Sequence, residues 1–479
     1  MAVSEPWQLP ATEIARLIRT GESSAREVLD AHALRIEQVA PPLNAFTELY
    51  LDEARASADD ADRRQAAGEP IGPLHGVPTA IKANTDEVGH ATTNGVRAWA
   101  ERIATRDAIA TERLRDAGAI FLARTNTPAF SMRWCADNDL HGRTHNPWHH
   151  GRTPGGSSGG AGSAVASGMV ALAQGNDYGG SIRYPAHACG IAGLRPTPGV
   201  IPRLPAEAGG KDSVSWQLMA VDGPMARTVA DLRVALDAMA GPSERDPFSV
   251  PRAAPAAAPA ARRVGLLRDP GVVAPDPVVE EALDAAAGWL TDAGYAVEEV
   301  DLGLFAEAYR LWYLLTIEDN RRDLPTIEEL GGEGAARSLR TQLAVAAQWW
   351  PEQPSVPDLL VGYERRDAVI RELGEVLRAI PLLLMPVSTE QPFEHGEDIE
   401  SDAAARRIAA AQWSCMALPV LGVPGLSVSA GVYGGLPVGV QLVGARFRED
   451  LVLDAGEVIE ERAGVTVPIE LGVGFGAAT

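Results

Sequence analysis

Apolar runs of four to eight residues alternate with amphipathic stretches along most of the chain. Over residues 10–40 the apolar positions recur at helical spacing: Ala25, Leu29, Ala33 and Ile36 share one face, and Ser24-Ala25-Arg26-Glu27 has the order of a capping box. This predicts two helices within an N-terminal helical segment, residues 1–65. Further on, DAIATERLRDAG reads as a helix that Gly118 ends before the strand AIFLARTN. SSGGAGSAVASGMVALAQGND reads as a small-residue helix ending near Gly168, then a short strand. RRVGLLRD, YAVEEVDL, PLLLMPV, GLSVSAG and VGVQLVG are further strand candidates, with helices such as VVEEALDAAAGWLTDAG between them. The alternation predicts an α/β protein with helices outside its sheet.

One segment departs from this pattern. VPRAAPAAAPAA, residues 250–261, cannot sustain a helix through its repeated prolines and is expected as an exposed surface loop. Strand-like sequence resumes directly after it, so residues 1–479 are expected to form a single domain.

Composition narrows the function. The 479 residues are 46% hydrophobic and 22% charged, which fits a folded chain with a sizeable core. Asp and Glu number 64 against 42 Lys and Arg, a net charge of −22 that sets the molecule's field against polyanions. No nucleic-acid or membrane partner is expected. The three cysteines, Cys135, Cys189 and Cys415, are too few and too scattered for a disulfide framework or a metal pair. The N-terminus lacks a basic-then-apolar leader and no run reaches the roughly 18 apolar residues of a membrane span. A cytoplasmic protein is expected.

The candidate chemistry begins at QGNDYGGSIRYPA, where Ser181 follows Gly179 and Gly180. Glycine adopts positive φ at little cost, so such a turn can bring bare N–H groups close to a ligand. Upstream, GRTPGGSSGGAGS lacks the lysine of a phosphate loop, but Gly156 to Gly160 matches G-x-S-x-G and makes Ser158 a candidate α/β-hydrolase nucleophile. That elbow needs a strand before it, whereas WHHGRTPG is loop-like, and a later histidine, for which His187 and His395 are the candidates. His141, His145, His149 and His150 invite a metal reading, yet Gly142 and Asn146-Pro147 break any helix there and no acid lies within the run. They are expected as loop histidines, with no metal. Ser181 has no evident imidazole partner. A neutral amine can serve instead, provided burial lowers a lysine's pKa. Lys82, at the end of the apolar run VPTAI, is placed for that.

PLHGVPTAIK, TPGGSSGGAGSAVASG and GNDYGGSIRYPAHACGIAGLRPT, in that order and at similar spacings, resemble the amidase signature family. The resemblance extends to DGPMARTVADL and ALPVLGVPGLSVSAGVYGGLPVGVQLVG, and so covers most of the chain. It implies a single α/β/α domain with a large mixed β-sheet flanked by helices, and an amidohydrolase that uses neither metal nor organic cofactor. It further implies a Ser–cis-Ser–Lys triad: Ser181 as acyl-forming nucleophile, Ser157 as the bridging serine in a cis peptide, and Lys82 as general base. The N–H groups of Tyr178, Gly179, Gly180 and Ser181 are the candidate oxyanion donors, with Ser158, Asp177 and Arg183 supporting the loop. Ala83 stands where the family commonly has aspartate, and Tyr178 brings an aromatic ring to the oxyanion turn.

Met132, Trp134 and Cys135 are candidate pocket walls, and residues 202–214 a candidate mobile lid. The substrate expected is a small-molecule amide, with an aryl amide or anilide favoured by such walls and a carbamate (urethane) or ester as the alternative. The glutaminase subunit of a tRNA-dependent amidotransferase is a further alternative. A monomer or homodimer is expected.

Overall fold

The computed structural model describes residues 5–204, 212–251, 262–464 and 469–475. Nearly all of the Pro/Ala stretch, residues 252–261, lies outside the described residues, as do 205–211 of the candidate lid.

The strands are β1 (Phe46–Leu49), β2 (Pro78–Lys82), β3 (Ile120–Thr125), β4 (Asp137–Asn138), β5 (Gly142–Arg143) and β6 (Leu172–Asp177) in the first part of the chain. They continue as β7 (Ala192–Arg195), β8 (Val221–Ala226), β9 (Arg263–Leu266), β10 (Ala296–Glu299), β11 (Leu382–Pro386), β12 (Gly425–Tyr433) and β13 (Leu436–Gly444). Eleven of them form one mixed sheet in the order β1-β3-β2-β6-β8-β7-β12-β13-β11-β9-β10, and β4 pairs with β5 apart from it. β2 runs parallel to both β3 and β6, whereas β6 and β8 are antiparallel. β2, β3 and β13 are buried at every position, as strands covered on both faces are.

The two N-terminal helices are Ala11–Thr20 and Ala25–Leu43, and the second opens on a capping box in which Ser24 Oγ accepts from Glu27 N at 3.0 Å. β1 follows them and interrupts the helical segment, pairing with β3. The helix Gly159–Ala166 is wholly buried. Its small residues let it lie against neighbouring backbone: a Cβ on Gly160 would sit 2.4 Å from the Asn126 nitrogen. Three further helices, Leu304–Leu330, Gly332–Ala346 and Val356–Ala379, had no counterpart in the sequence reading. The first of them packs, with Trp413–Leu421, into a second apolar cluster that borders the site described below. Among the described residues no helix is long and apolar enough to cross a membrane.

Candidate active site

Lys82 is the last residue of β2, and because β3 and β6 flank that strand its side chain is fully buried. Its Nζ lies 2.6 Å from Ser157 Oγ and 2.8 Å from Asn176 Oδ1, while its main-chain N–H donates to Gln174 Oε1 at 3.3 Å. Loss of water lowers the lysine pKa from 10.5 to about 7, against the opposing pull of the Asp222 and Asp177 carboxylates.

Ser157 sits in the loop before the buried helix, and the Gly156–Ser157 peptide bond is cis. Ser158 is fully buried: its N–H donates to the Ser181 carbonyl at 3.2 Å and its Oγ reaches the Asn176 carbonyl at 3.5 Å. Ser158 thus joins the two serine loops. It is not preceded by a strand, and of the histidines considered for it, His187 is buried against the main chain of Gly439 at 3.0 Å. The elbow expected of an α/β-hydrolase is therefore not formed. The His141–His150 run holds the two-residue strand β5, loops and short bridges, with the His145 and His150 rings stacked at 3.8 Å.

The turn from Tyr178 to Ser181 hangs on Asp177 at the end of β6. The buried Asp177 carboxylate accepts from Arg183 Nε and Nη2, both at 2.9 Å, from Arg195 Nη1 at 3.3 Å, and from the N–H groups of Gly180 (2.9 Å) and Ile182 (3.3 Å). Burial alone would raise this carboxyl, but the two guanidiniums outweigh it and hold the pKa at about 2. Arg183 also donates to the Cys415 carbonyl (2.7 Å) and to Gln441 Oε1 (2.8 Å), which fixes the turn to the helix Trp413–Leu421 and to β13. Gly180 has φ 107°, and a Cβ there would lie 2.4 Å from Cys415 Cβ, so the position admits only glycine. One expectation is corrected here. The Gly180 N–H, counted among the oxyanion donors, is already given to Asp177 Oδ1. Among the described residues, the N–H groups of Tyr178, Gly179 and Ser181 have no acceptor.

Ser157 and Ser181 open onto one cavity of about 450 Å³. The Tyr178 and Trp216 rings stack on one side at 4.3 Å and 7°, with Trp312 donating its indole N–H to the Tyr178 carbonyl at 3.2 Å. Trp99 and Phe130 meet edge to face at 5.0 Å on the cavity wall. Met132 and Trp134 line it as well. Cys135 does not: it is buried beside the Asp398 carboxylate, and burial pushes its thiol pKa far up. Sequence reasoning missed Trp216, Trp312, Trp99 and Phe130, which no local motif marks, and also Asn176 and Arg195. Those last two did lie within the quoted motif around Ser181.

A buried lysine bonded to one serine thus shares a cavity with a second serine that follows a double glycine, at the strand ends of a mixed sheet. Comparison with known proteins identifies the family. Residues 27–453 match the family model described as Amidase, and the chain belongs to that family of hydrolases acting on carbon–nitrogen bonds other than peptide bonds. It is 39% identical over 471 residues to an indoleacetamide hydrolase of Bradyrhizobium diazoefficiens, covering 96% of this chain and 87% of that one. A glutamyl-tRNA(Gln) amidotransferase chain of Synechococcus is 32% identical, with 94% of this chain and 95% of that one covered. Among solved structures, a bacterial aryl acylamidase belonging to the amidase signature enzymes superposes with a TM-score of 0.82 at 28% identity, over 96% of this chain and 97% of that one.

Proposed function

We propose that the chain hydrolyses small aryl-bearing carboxylic amides through an acyl-enzyme on Ser181, with Ser157 as proton relay and Lys82 as general base. The observation that carries this reading is the 2.6 Å contact between the buried Lys82 Nζ and Ser157 Oγ, beside Ser181 on the same cavity. With a pKa of about 7, half of the lysine is the neutral amine at neutral pH. That amine takes the Ser157 proton as Ser157 takes the proton of Ser181, whose oxygen attacks the amide carbon. The N–H groups of Tyr178, Gly179 and Ser181 receive the charge that develops on the carbonyl oxygen, each such donor lowering the barrier by roughly 3 kcal/mol. The relay then runs in reverse: the proton passes through Ser157 to the leaving nitrogen, the C–N bond breaks, and the amine departs. Water repeats the attack on the acyl-enzyme and frees Ser181. Every proton and electron pair in this route is carried by these side chains, the substrate and water.

The aromatic lining of the cavity supports an aryl group on the substrate, as do the relatives named for indoleacetamide and aryl acylamide hydrolysis. The net charge of −22 supports a small molecule over nucleic acid, and three buried free cysteines suit the reducing cytoplasm. A monomer or homodimer would suffice for this chemistry.

The test is labelling by a serine-directed fluorophosphonate together with rates on matched 4-nitroanilide, 4-nitrophenyl carbamate, 4-nitrophenyl ester and glutamine substrates. Labelling should vanish in Ser181→Ala and persist in Ser158→Ala, with the anilide turned over. The opposite labelling pattern would refute the assignment, and carbamate or glutamine as the preferred substrate would refute the substrate class.

A further inference from the structure

Lys82, Gln174, Asn176 and Asp222 lie on three adjacent strands, β2, β6 and β8. Asp222 stands directly opposite Asn176 in the antiparallel β6–β8 register, so their side chains share a face of the sheet. Gln174, two residues before Asn176 on β6, shares that face too. Asn176 Oδ1 is the atom 2.8 Å from Lys82 Nζ, and Gln174 bridges the other way: Oε1 accepts from Lys82 N at 3.3 Å while Nε2 donates to Asp222 Oδ1 at 3.2 Å. We propose that Asp222 is the counter-charge that sets how readily Lys82 takes up a proton, acting through space across β6, where Gln174 holds its carboxylate.

Two carboxylates act on the buried amine, and they differ in kind. Asp177 is saturated by Arg183 and Arg195, which largely cancel its charge as seen from Lys82. Asp222 is 5% exposed and bonded to a neutral amide. It borders a polar cavity of about 30 Å³ that meets the substrate cavity at Asn84 and Asn176, and it does not line the substrate cavity itself. Burial raises the Asp222 carboxyl to about 6, against the pull of the Arg203 and Lys82 charges. The charged groups lining that cavity bond to partners other than Asp222. Arg203 pairs with Asp212, Arg245 with Glu112, and Asp107 with Arg115, while Asp86 accepts from Thr92 at 2.6 Å; Arg106 completes the lining. As Lys82 gains a proton during attack by Ser181, Asp222 stabilises the ammonium without touching the substrate. It is a positioning residue of an electrostatic kind.

This inference rests on Lys82 as the general base. Its test is the pH profile of kcat/KM for a 4-nitroanilide in the wild type and in Asp222→Asn, Asp222→Ser and Asp222→Glu. The neutral variants lose the charge that favours the ammonium, so their acid limb should move to lower pH by about one unit, with kcat down about tenfold and KM unchanged. Asp222→Glu should keep the limb near its wild-type position. The two neutral variants differ in size, so one that fails to fold leaves the other to decide. A limb unmoved in a neutral variant, or moved equally in Asp222→Glu, overturns the proposal. Absence of any acid limb in the wild type would instead overturn the assignment of Lys82.

Discussion

Replacing Lys82 with methionine removes a charge that folding strips of water, so the stability of the variant should respond to pH differently from that of the wild type. The lysine has a pKa of about 7 in the folded protein against an ordinary 10.5. Because the folded value is the lower one, the unfolded chain binds more protons between those two pH values. The cost to folding is complete below pH 7, shrinks as pH rises, and is gone above about 10.5. At about 1.4 kcal/mol per pH unit this cost is about 4 kcal/mol at pH 7 and about 1.4 kcal/mol at pH 9.5. Methionine escapes it but forfeits the contacts at 2.6 and 2.8 Å and leaves Ser157 and Asn176 underpaired, a loss on the order of 2–4 kcal/mol that does not vary with pH. Subtracting one stability curve from the other therefore isolates the lysine. Urea unfolding followed by tryptophan fluorescence, run on both proteins from pH 7 to 9.5, should show the wild type gaining about 3 kcal/mol relative to Lys82→Met. A difference that stays flat across that range would mean that Lys82 keeps an ordinary proton affinity, and the case for a neutral base would fall with it.

The same lysine predicts catalysis that strengthens with pH: kcat/KM for an anilide should rise about tenfold per unit below pH 7 and level off above it, whereas a rise continuing to pH 10 would contradict a buried neutral amine. Asp177→Asn leaves Arg183 and Arg195 buried without their counter-charge and should cost about 3–5 kcal/mol in urea unfolding; a loss under about 1 kcal/mol would mean that the turn is held by other contacts. Trp216→Ala removes the ring stacked on Tyr178 and should raise KM for aryl amides about tenfold while leaving a simple aliphatic amide unaffected, so equal losses on both substrates would argue against an aryl wall.

Much of this molecule is legible locally. Ser24 and Glu27 announce a helix start because a capping box is satisfied within four residues. The apolar run before Lys82 and the glycines before Ser181 mark a buried strand end and a tight turn because burial pattern and φ preference are properties of short segments. Three ordered motifs then suffice to indicate the family and its sheet. The long helix Leu304–Leu330 escaped the sequence reading, and with it Trp312, because Leu311 to Ile317 is one unbroken buried run that hides the helical period.

What the sequence could not supply are facts that depend on which distant segments meet. That the Gly180 N–H is taken, while its neighbours' have no acceptor among the described residues, follows from Asp177 reaching over the turn, braced by Arg195 from another strand. Cys135, three residues beyond Met132, turns away from the cavity to face Asp398, while Trp216 and Trp99 arrive from elsewhere to complete the wall. Identity and order of residues determined the chemistry available to this protein; tertiary structure decided its electrostatics, because desolvation of an amine and the placement of a carboxylate across a neighbouring strand are set by the surroundings that folding assembles around them.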